Sequence, residues 1–459
     1  MSVPPLIVLP LKKPKECDIS GPLMRLLEEQ CAASGAAVPT EARQHVAQLQ
    51  QQRNLLVGIE KLTPYTAEDA CKSILNYEAA MGRLEGRFDK MGSELQILYK
   101  WRDAFHPSKK SEQGDLQWER VGAYFAAAAT LSYQAAQAQP RGASQGGLRD
   151  AANFFKQAAG CLDAAFTIIK TAIWGLTPRW DPRSLTADVE LPMLEALRQL
   201  MLAQAQRAFY EKACAEGSSS MVKMQLSAAT ASLFGDVLSR FQANSHLEAA
   251  VSSEAGLFSK GDRSWLGRVE CSKKWAEALS EQHAAEVEVA PEKPVPGYGE
   301  QVARLWRAVN AAKAAVSVAQ NSGVPASEYR VVTEGVARLQ ALYVAAEKEC
   351  REVYQEPVPP SMPPVEGKVL VAAKPPEPPV LGADPLRGVL VPEVVRSTVR
   401  AHNDTVQALL RDASSRVSSE AEQASRRLAE MQVTAAECHR VPPSATECRR
   451  VPPSATECH

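Results

Sequence analysis

One pentapeptide, Gly142-Ala-Ser-Gln-Gly146, has the letters of the G-x-S-x-G nucleophile elbow, in which a serine is presented for attack on an ester or amide. Such an elbow needs a buried strand directly before it, because a sharp strand-to-helix turn exposes the hydroxyl. Here the preceding residues, Gln134 to Gln139, are polar and helix-like, and Pro140 follows them. The sequence therefore predicts a flexible loop at Ser144 rather than a catalytic serine.

The thiol and imidazole side chains form no catalytic or metal-binding pattern. The ten cysteines include no C-x-x-C pair, which is typical of reduced thiols, and none of the seven histidines lies at helical spacing from a second histidine or a cysteine. Cys438-His439, Cys448 and Cys458-His459 carry soft-metal ligands, but their ten-residue spacing comes from a tandem repeat. Phosphate-cradling, dinucleotide-binding and H-E-x-x-H motifs are absent as well. We therefore expect no enzyme, no metal and no cofactor.

The most informative spacing belongs to apolar residues between positions 194 and 241. In the first of two predicted helices, four side chains stack along one face at successive i+4 positions: Leu197, Met201, Ala205 and Phe209. The second helix carries two apolar stripes, which are rotated from each other by roughly 100 to 140°. The first stripe consists of Met221, Met224 and Ala228, and the second of Val222, Leu226, Ala229 and Leu233.

Two apolar sides on one helix allow two interpretations. In a helical solenoid each helix packs on two neighbours, so both stripes can be buried. Alternatively, the second stripe lines an open groove that receives an amphipathic helix from a partner protein. The spacing alone does not separate these interpretations, although burial of both stripes is the more common outcome.

The surrounding sequence predicts helices. The chain of 459 residues has a net charge of −1 and is 45% hydrophobic, so no global field draws it to nucleic acid and wholesale disorder is excluded. The apolar run at residues 5–11 is too short to span a membrane, and its lysines follow it, unlike in a secretory signal, so a cytoplasmic protein is expected. Residues 20–352 are rich in Ala, Leu, Gln and Glu, with Gly and Pro breaks between segments of roughly 20 to 35 residues. The predicted fold class is an all-α helical solenoid.

A few elements depart from this pattern. Residues 5–11, together with a short stretch near residue 120, are the strand candidates, and Thr66 with Asp69 resembles a capping box. The proline-rich stretch at 357–380 predicts an extended arm, either a stiff spacer or a packed segment, although its PxxP content also suits SH3 or WW modules. One long polar helix is expected over 392–432. The decamer repeats at 437–459 predict a disordered tail.

A family resemblance is carried by residues spread along the chain in order. The run Leu200-Met-Leu-Ala-Gln-Ala-Gln206, followed by Phe209, is similar to the signature of the BRO-one domain of the Alix family, and Leu233-Phe-Gly-Asp236 falls at the family's spacing. Further agreement covers nearly all of residues 4–370: Leu6 to Lys13, Pro22 to Met24, Trp101 to Phe105, Gly147 to Arg149, Asn153 to Ala158, Tyr354, and Val358-Pro359.

The resemblance implies a boomerang-shaped, tetratricopeptide-like helical domain with a small N-terminal β element. It also implies docking of the C-terminal helix of a Snf-seven-type ESCRT-III subunit, called charged multivesicular body protein four in animals. By position, Phe209, Val222 and Leu226 match the family's apolar docking residues, and Arg149 matches a basic residue at their edge. Gln145 stands where the animal relative carries an acidic residue. If the groove is open, Leu226→Asp is expected to abolish docking without unfolding the domain.

The resemblance also implies domain boundaries and a role. We expect the BRO-one domain at 1–380, the opening helix of a truncated V-type domain at 381–436, and the tail at 437–459. The implied function is an adaptor recruited from the cytoplasm to endosomes, for multivesicular-body sorting and membrane scission. The alternatives are an ambient-pH signalling adaptor of the Pal/Rim type and a generic helical scaffold. Peripheral membrane contact would use basic residues: Lys12, Lys13, Lys100, Arg102, Lys109, Lys110, Lys273 and Lys274.

Overall fold

The computed structural model describes residues 4–33, 35–59, 62–63, 66–88, 95–138, 145–176, 178–252, 264–391 and 393–430. The chain divides into two compact units, Met1–Leu390 and Val391–His459. Ser144 of the elbow-like motif and the predicted tail at 437–459 lie outside the described residues.

The described part of the first unit is built from helices in a sequential stack. They are α1 (Ser20–Ala33), α2 (Thr40–Gly58), α3 (Ala67–Glu85), α4 (Leu116–Ala138), α5 (Gln145–Trp174), α6 (Leu191–Ala215), α7 (Ser220–Gln242), α8 (Ser245–Ser252), α9 (Ser264–Glu288), α10 (Tyr298–Asn321) and α11 (Ala326–Glu349). From α3 onward each long helix packs mainly on the long helix before it and the one after it. This nearest-neighbour packing is that of a solenoid. The prediction of an all-α solenoid is confirmed.

The β element within the described residues is a pair of short antiparallel strands, β1 (Tyr99–Arg102) and β2 (Lys110–Gln113). The strand prediction at residues 5–11 is wrong. That segment is extended, but side chains satisfy its backbone: Gln204 bonds both the N–H and the carbonyl of Ile7, and the Ser132 hydroxyl accepts from the N–H of Leu9. The segment alternates apolar residues because these side chains are buried between helices. Its peptide groups need no neighbouring strand, since side chains of the helices bond them. The stretch near residue 120 lies in α4.

The capping-box prediction at the start of α3 is also wrong. Thr66 does precede the helix, but its backbone is helical and its side chain makes no capping hydrogen bond. The Thr66 hydroxyl instead accepts from the N–H of Thr63 at 3.1 Å. A threonine can satisfy a local backbone donor in this way and so compete with the cap geometry.

A buried carboxylate joins four elements at the N-terminal end of the stack. Glu119 of α4 accepts a hydrogen bond from Arg53 Nε of α2 at 2.9 Å, from the Tyr77 hydroxyl of α3 at 2.9 Å and from the Trp101 indole of β1 at 2.7 Å. All of these side chains are fully buried. A charge in such a place is tolerated because it is paired and its oxygens are occupied by donors.

The predicted arm at 357–380 is extended and runs back across the stack, opposite to the order of the helices. Its backbone is held by Arg304 and Arg307 of α10, which donate to the carbonyls of Pro363 and Met362 at 2.8 and 2.9 Å. Farther along, the N–H of Lys374 donates to the carbonyl of Lys156 of α5 at 2.9 Å. The arm is therefore packed on the helices.

Two glycines let the arm lie directly on helix backbone. A Cβ atom at Gly160 of α5 would come within 2.0 Å of the Lys374 carbonyl oxygen, and one at Gly367 of the arm would come within 2.5 Å of the Ala229 amide nitrogen of α7. No other residue type fits at such an approach without moving the backbone. Beyond the arm, residues up to 390 stay in the first unit, because Leu386 and Leu390 are buried in its core.

The described part of the second unit is one helix, α12 (Glu393–Glu430). It confirms the long polar helix that the sequence predicts. Among the apolar residues of this helix, Val399, Leu409 and Leu410 are exposed and Val406 is half-buried.

We predict that Glu119→Ala lowers the free energy of unfolding by about 3–5 kcal/mol, because it leaves the Arg53 guanidinium buried without a counter-charge. Urea unfolding followed by circular dichroism measures the change. The matched control is the double variant Arg53→Met with Glu119→Leu, which removes both charges and should recover part of the loss. If Glu119→Ala is as stable as the parent chain, Glu119 is not the centre of the network.

Candidate docking site

The candidate site lies where α6 ends and α7 begins. The two helices pack on each other and are joined by a short turn around Gly217, so the end of α6 and the start of α7 lie close together. The Ser219 hydroxyl caps α7 by accepting from the N–H of Val222 at 3.4 Å. A capped first turn holds the side chain at position 222 in a fixed direction.

Two of the apolar docking candidates are accessible at this end of the helix pair. Val222, in the first turn of α7, is 41% exposed, and its neighbour Met221 is 44% exposed. Phe209, in the last two turns of α6, is partly buried and packs against the main core. A valine and a phenylalanine of this kind can bury further surface only when another apolar group covers them.

The expectation that Leu226 lies open in a groove is wrong. Leu226 is 4% exposed and packs in a core cluster with Tyr210 of α6 and with Trp275 and Leu279 of α9. It lies one helical turn farther along α7 than Val222, where α9 already covers that face. The prediction that Leu226→Asp leaves the fold intact therefore fails on its physical premise.

The packing of α9 on α7 also explains the two apolar stripes of α7. In the second stripe only the first member, Val222, is exposed, whereas Ala229 and Leu233 are buried like Leu226. The first stripe follows the same trend, from exposed Met221 to buried Ala228. Both stripes are open at the start of α7 and closed farther along. Packing on two neighbours, the first of the two interpretations, therefore describes most of this helix.

The two polar residues predicted to take part in docking lie on α5. Arg149 is exposed in the first turns of that helix, which packs against α6. Gln145 is the first residue of α5. Their pairing with a partner helix stays a prediction.

The arm supplies apolar residues that sequence analysis did not predict at this site. The Gln206 side chain of α6 donates to the carbonyl of Lys368 and accepts from the N–H of Leu370, both at 2.9 Å, and the N–H of Lys368 donates to the carbonyl of Gln225 of α7 at 3.0 Å. The arm therefore crosses α6 at Gln206, three positions before Phe209, and α7 at Gln225, three positions after Val222.

Val369 and Leu370 of the arm are half-exposed at this crossing. We call Phe209, Val222, Val369 and Leu370 together the docking face. The residue that could have located the arm here is Gln206, since a buried amide must find backbone partners.

The basic residues considered for membrane contact differ in their burial and in their ion pairs. Lys12 is a wrong candidate, because its ammonium is buried and bonds Asp188 at 2.6 Å and the carbonyl of Arg102 at 3.0 Å. Lys273 and Lys274 both pair with Glu277. Among the helices that the structure describes, none is both long and apolar enough to cross a membrane.

Comparison with known proteins identifies the family. Residues 6–410 match the model of the BRO1-like domain. ALG-2 interacting protein X of Dictyostelium discoideum is 27% identical over 404 residues, which are 87% of this chain and 46% of that protein. The pH-response regulator protein palA/RIM20 of Pyricularia oryzae is 27% identical over 316 residues, 68% of this chain and 32% of that protein.

A solved structure described as an ALIX BRO1 CHMP4C complex shares the fold, with a TM-score of 0.63 and 23% identity over 82% of this chain and 96% of that one. The chain spans less than half the length of the two relatives. Because the family model matches most of the sequence, this chain belongs to the BRO1-like domain family.

Proposed function

We propose that this chain is a non-enzymatic adaptor that binds the C-terminal amphipathic helix of a Snf-seven-type ESCRT-III subunit. In this role it is recruited from the cytoplasm to endosomes and acts in multivesicular-body sorting and membrane scission. The observation that carries the proposal is the docking face, an apolar surface left open where α6, α7 and the arm meet. A related fold is known in a complex titled ALIX BRO1 CHMP4C, which supports a partner of this kind.

The physics of the docking face suits a reversible interaction. Covering an exposed valine or leucine supplies roughly 1.5–3 kcal/mol at full burial, and less for side chains already half-buried. The cost of ordering the partner helix is subtracted from this gain. The four partly covered side chains of the docking face therefore supply about 3–6 kcal/mol before that cost is subtracted. Docking through them is weak and reversible, as an adaptor that must release its partner requires.

The domain limits stay proposals. We place the BRO1-like domain at 1–380, the opening helix of a V-type domain at 381–436 and the repeat tail at 437–459. SH3 or WW binding through the prolines of the arm, and peripheral membrane contact, also stay predictions.

A second candidate function is ambient-pH signalling, which the match to palA/RIM20 favours. It would use the same docking face for a different output. Binding to an isolated ESCRT-III helix supports both functions and excludes a generic scaffold. The two functions are separated by a cellular assay that measures whether loss of the protein impairs cargo sorting or the response to alkaline pH.

We predict that Val222→Asp weakens binding of the ESCRT-III C-terminal helix by about tenfold or more, because the lost burial and the added charge each oppose docking. Fluorescence anisotropy with a labelled synthetic helix measures the dissociation constant. The matched control is Val344→Asp on α11, where the valine is similarly exposed but lies away from the docking face. Equal affinities for the two variants would exclude Val222 from the interface.

We predict that Leu226→Asp, in contrast, lowers the free energy of unfolding by at least about 3 kcal/mol, because a carboxylate would replace a buried side chain in the cluster with Trp275. Urea unfolding compares it with Val222→Asp, which should stay within about 1 kcal/mol of the parent chain. If Leu226→Asp is as stable as Val222→Asp, α9 does not cover this position in solution.

We predict that Gln145→Glu strengthens binding several-fold at low salt and that the gain fades at high salt. The substitution restores the acidic residue of the animal relative. A carboxylate at the rim of an interface attracts basic groups of the partner, and salt screens this attraction. Anisotropy titrations at two ionic strengths check this, with Gln145→Ala as the uncharged control. A salt-independent effect would indicate that position 145 meets no basic group of the partner.

A further inference from the structure

A groove separate from the docking face lies between α10, α11 and the first part of the arm. Val302 and Trp306 of α10 and Tyr343 of α11 form its helical wall, and arm residues 358–362 form the opposite wall. The space between the two walls has a volume of about 320 Å³. This volume falls within the range of ligand sites in proteins, so the groove is large enough for a short peptide segment.

Trp306 is the exposed aromatic side chain of this groove. It is 56% exposed, although tryptophan is highly buried on average in folded proteins. On its other side, Trp306 lines a second opening of about 460 Å³ next to Pro364 and Val365 of the arm. Val358, on the arm wall, is 50% exposed. The open apolar surface therefore continues past Trp306 along most of arm residues 358–365.

The polar groups of the groove are bonded within the chain. Arg307 donates to the carbonyl of Met362 at 2.9 Å and forms an ion pair with Glu281 at 2.8 Å. The Tyr343 hydroxyl donates to Glu347 at 3.0 Å. Because these groups already have partners, the uncovered part of the groove is its apolar and aromatic surface. The groove is therefore suited to an apolar, extended segment rather than to an anion.

Aromatic walls of this kind bind proline-rich segments. SH3 and WW modules hold such segments in grooves lined by aromatic side chains, because a polyproline II backbone is already extended before it binds. The arm shows that this surface accepts prolines, since Val358-Pro-Pro-Ser361 lies along α10 and α11 beside Trp306 and Tyr343. A second segment of the same kind would cover the side of Trp306 that the arm leaves open.

The same tetrapeptide occurs twice more in this chain, in the repeat tail. Val441-Pro-Pro-Ser444 and Val451-Pro-Pro-Ser454 have the sequence that the arm places on α10. A basic residue, Arg440 or Arg450, comes directly before each of them. Glu347 is an exposed carboxylate at the edge of the groove, so it offers the opposite charge. The tail therefore matches the groove in both sequence and charge.

The chain leaves the first unit far from this groove. Arg87, just after α3, donates to the carbonyls of Leu386 and Leu390, the residues that lead to α12. The groove lies on α10 and α11, at the opposite end of the sequential stack. The segment that precedes the tail is therefore anchored away from the groove of its own chain, which favours a tail from another chain as the occupant.

We propose that the groove at Trp306 binds a Val-Pro-Pro-Ser segment from the repeat tail of a second copy of the chain. The contact joins the tail of one copy to the groove of another, so it brings together two different surfaces. Each tail carries two such segments, which raises the chance that one of them is bound. The site goes beyond the proposed adaptor function, because it links copies of the chain and leaves the docking face free.

Binding of a synthetic peptide to the full chain tests the groove. A labelled peptide of residues 439–446 is titrated with the protein, and fluorescence anisotropy gives the dissociation constant. We expect saturable binding that Trp306→Ala weakens at least tenfold, since a tryptophan anchor at the centre of an interface contributes this much or more. The matched control is the same peptide with Pro442→Ala and Pro443→Ala, which keeps every charge and should bind at least tenfold more weakly. These peptide changes leave the protein untouched, so they test the groove even if Trp306→Ala alters the fold.

Analytical ultracentrifugation of the full chain tests the second copy. The sedimentation coefficient of the parent chain should rise with concentration, whereas it should stay constant for Trp306→Ala and for a variant with Pro442, Pro443, Pro452 and Pro453 replaced by alanine. Binding of the ESCRT-III helix should be equal in all three proteins, so failure of this proposal is distinguishable from failure of the adaptor function. The proposal is overturned if the peptide does not bind, if the alanine peptide binds as tightly, or if both variants associate like the parent chain. It is also overturned if the parent chain stays monomeric above the measured dissociation constant, because the tail then occupies the groove of its own chain or no groove.

Discussion

Packing of each helix on the helix before it and the helix after it is the constraint on which this domain depends. A helix between two neighbours must be apolar on two sides, and both sides are covered along most of its length. Where one neighbour stops short, apolar surface that would otherwise be covered stays open. Val222 lies at such a place, in the first turn of α7, and Leu226 one turn later does not. The docking face is therefore a product of helix ends.

The arm adds a second layer to that arrangement. Proline-rich backbone cannot pair as a strand, so its peptide groups are satisfied one at a time by side chains and exposed carbonyls of the helices it crosses. Gln206 is buried for this purpose and holds the arm at residues 368–370. The same contact fixes Val369 and Leu370 at the point where the arm crosses α6. A structural glutamine on α6 and the composition of the docking face are thus linked.

The sequence predicted the helical class, the long α12 and the packed or extended arm, because these follow from local propensity and from proline content. It mispredicted residues 5–11, whose alternating apolar pattern is the same for a strand and for an extended segment held by Gln204. The family resemblance placed Leu226 in an open groove. Helical periodicity could not correct this, because it reports which side chains share a face and not which neighbour covers it. The Tyr210 hydroxyl lies 3.1 Å from His283 Nε2, although the two residues are 73 positions apart, because α6 and α9 bring them together only in the fold.

Residues at and just after the end of α3 contact the far end of the first unit, which has a consequence for how the protein is made. Arg83 donates to the carbonyl of Gly382, 299 positions later, and Arg87 donates to that of Leu390, 303 positions later. A ribosome that adds about 5–20 residues per second needs roughly 15–60 s to synthesise that stretch. During this interval the helices of the nascent chain can stack in order, but the surface that the arm will cover stays hydrated. Completion of the domain is therefore a late event in translation, and truncated products would carry an uncovered strip across α5, α6 and α7.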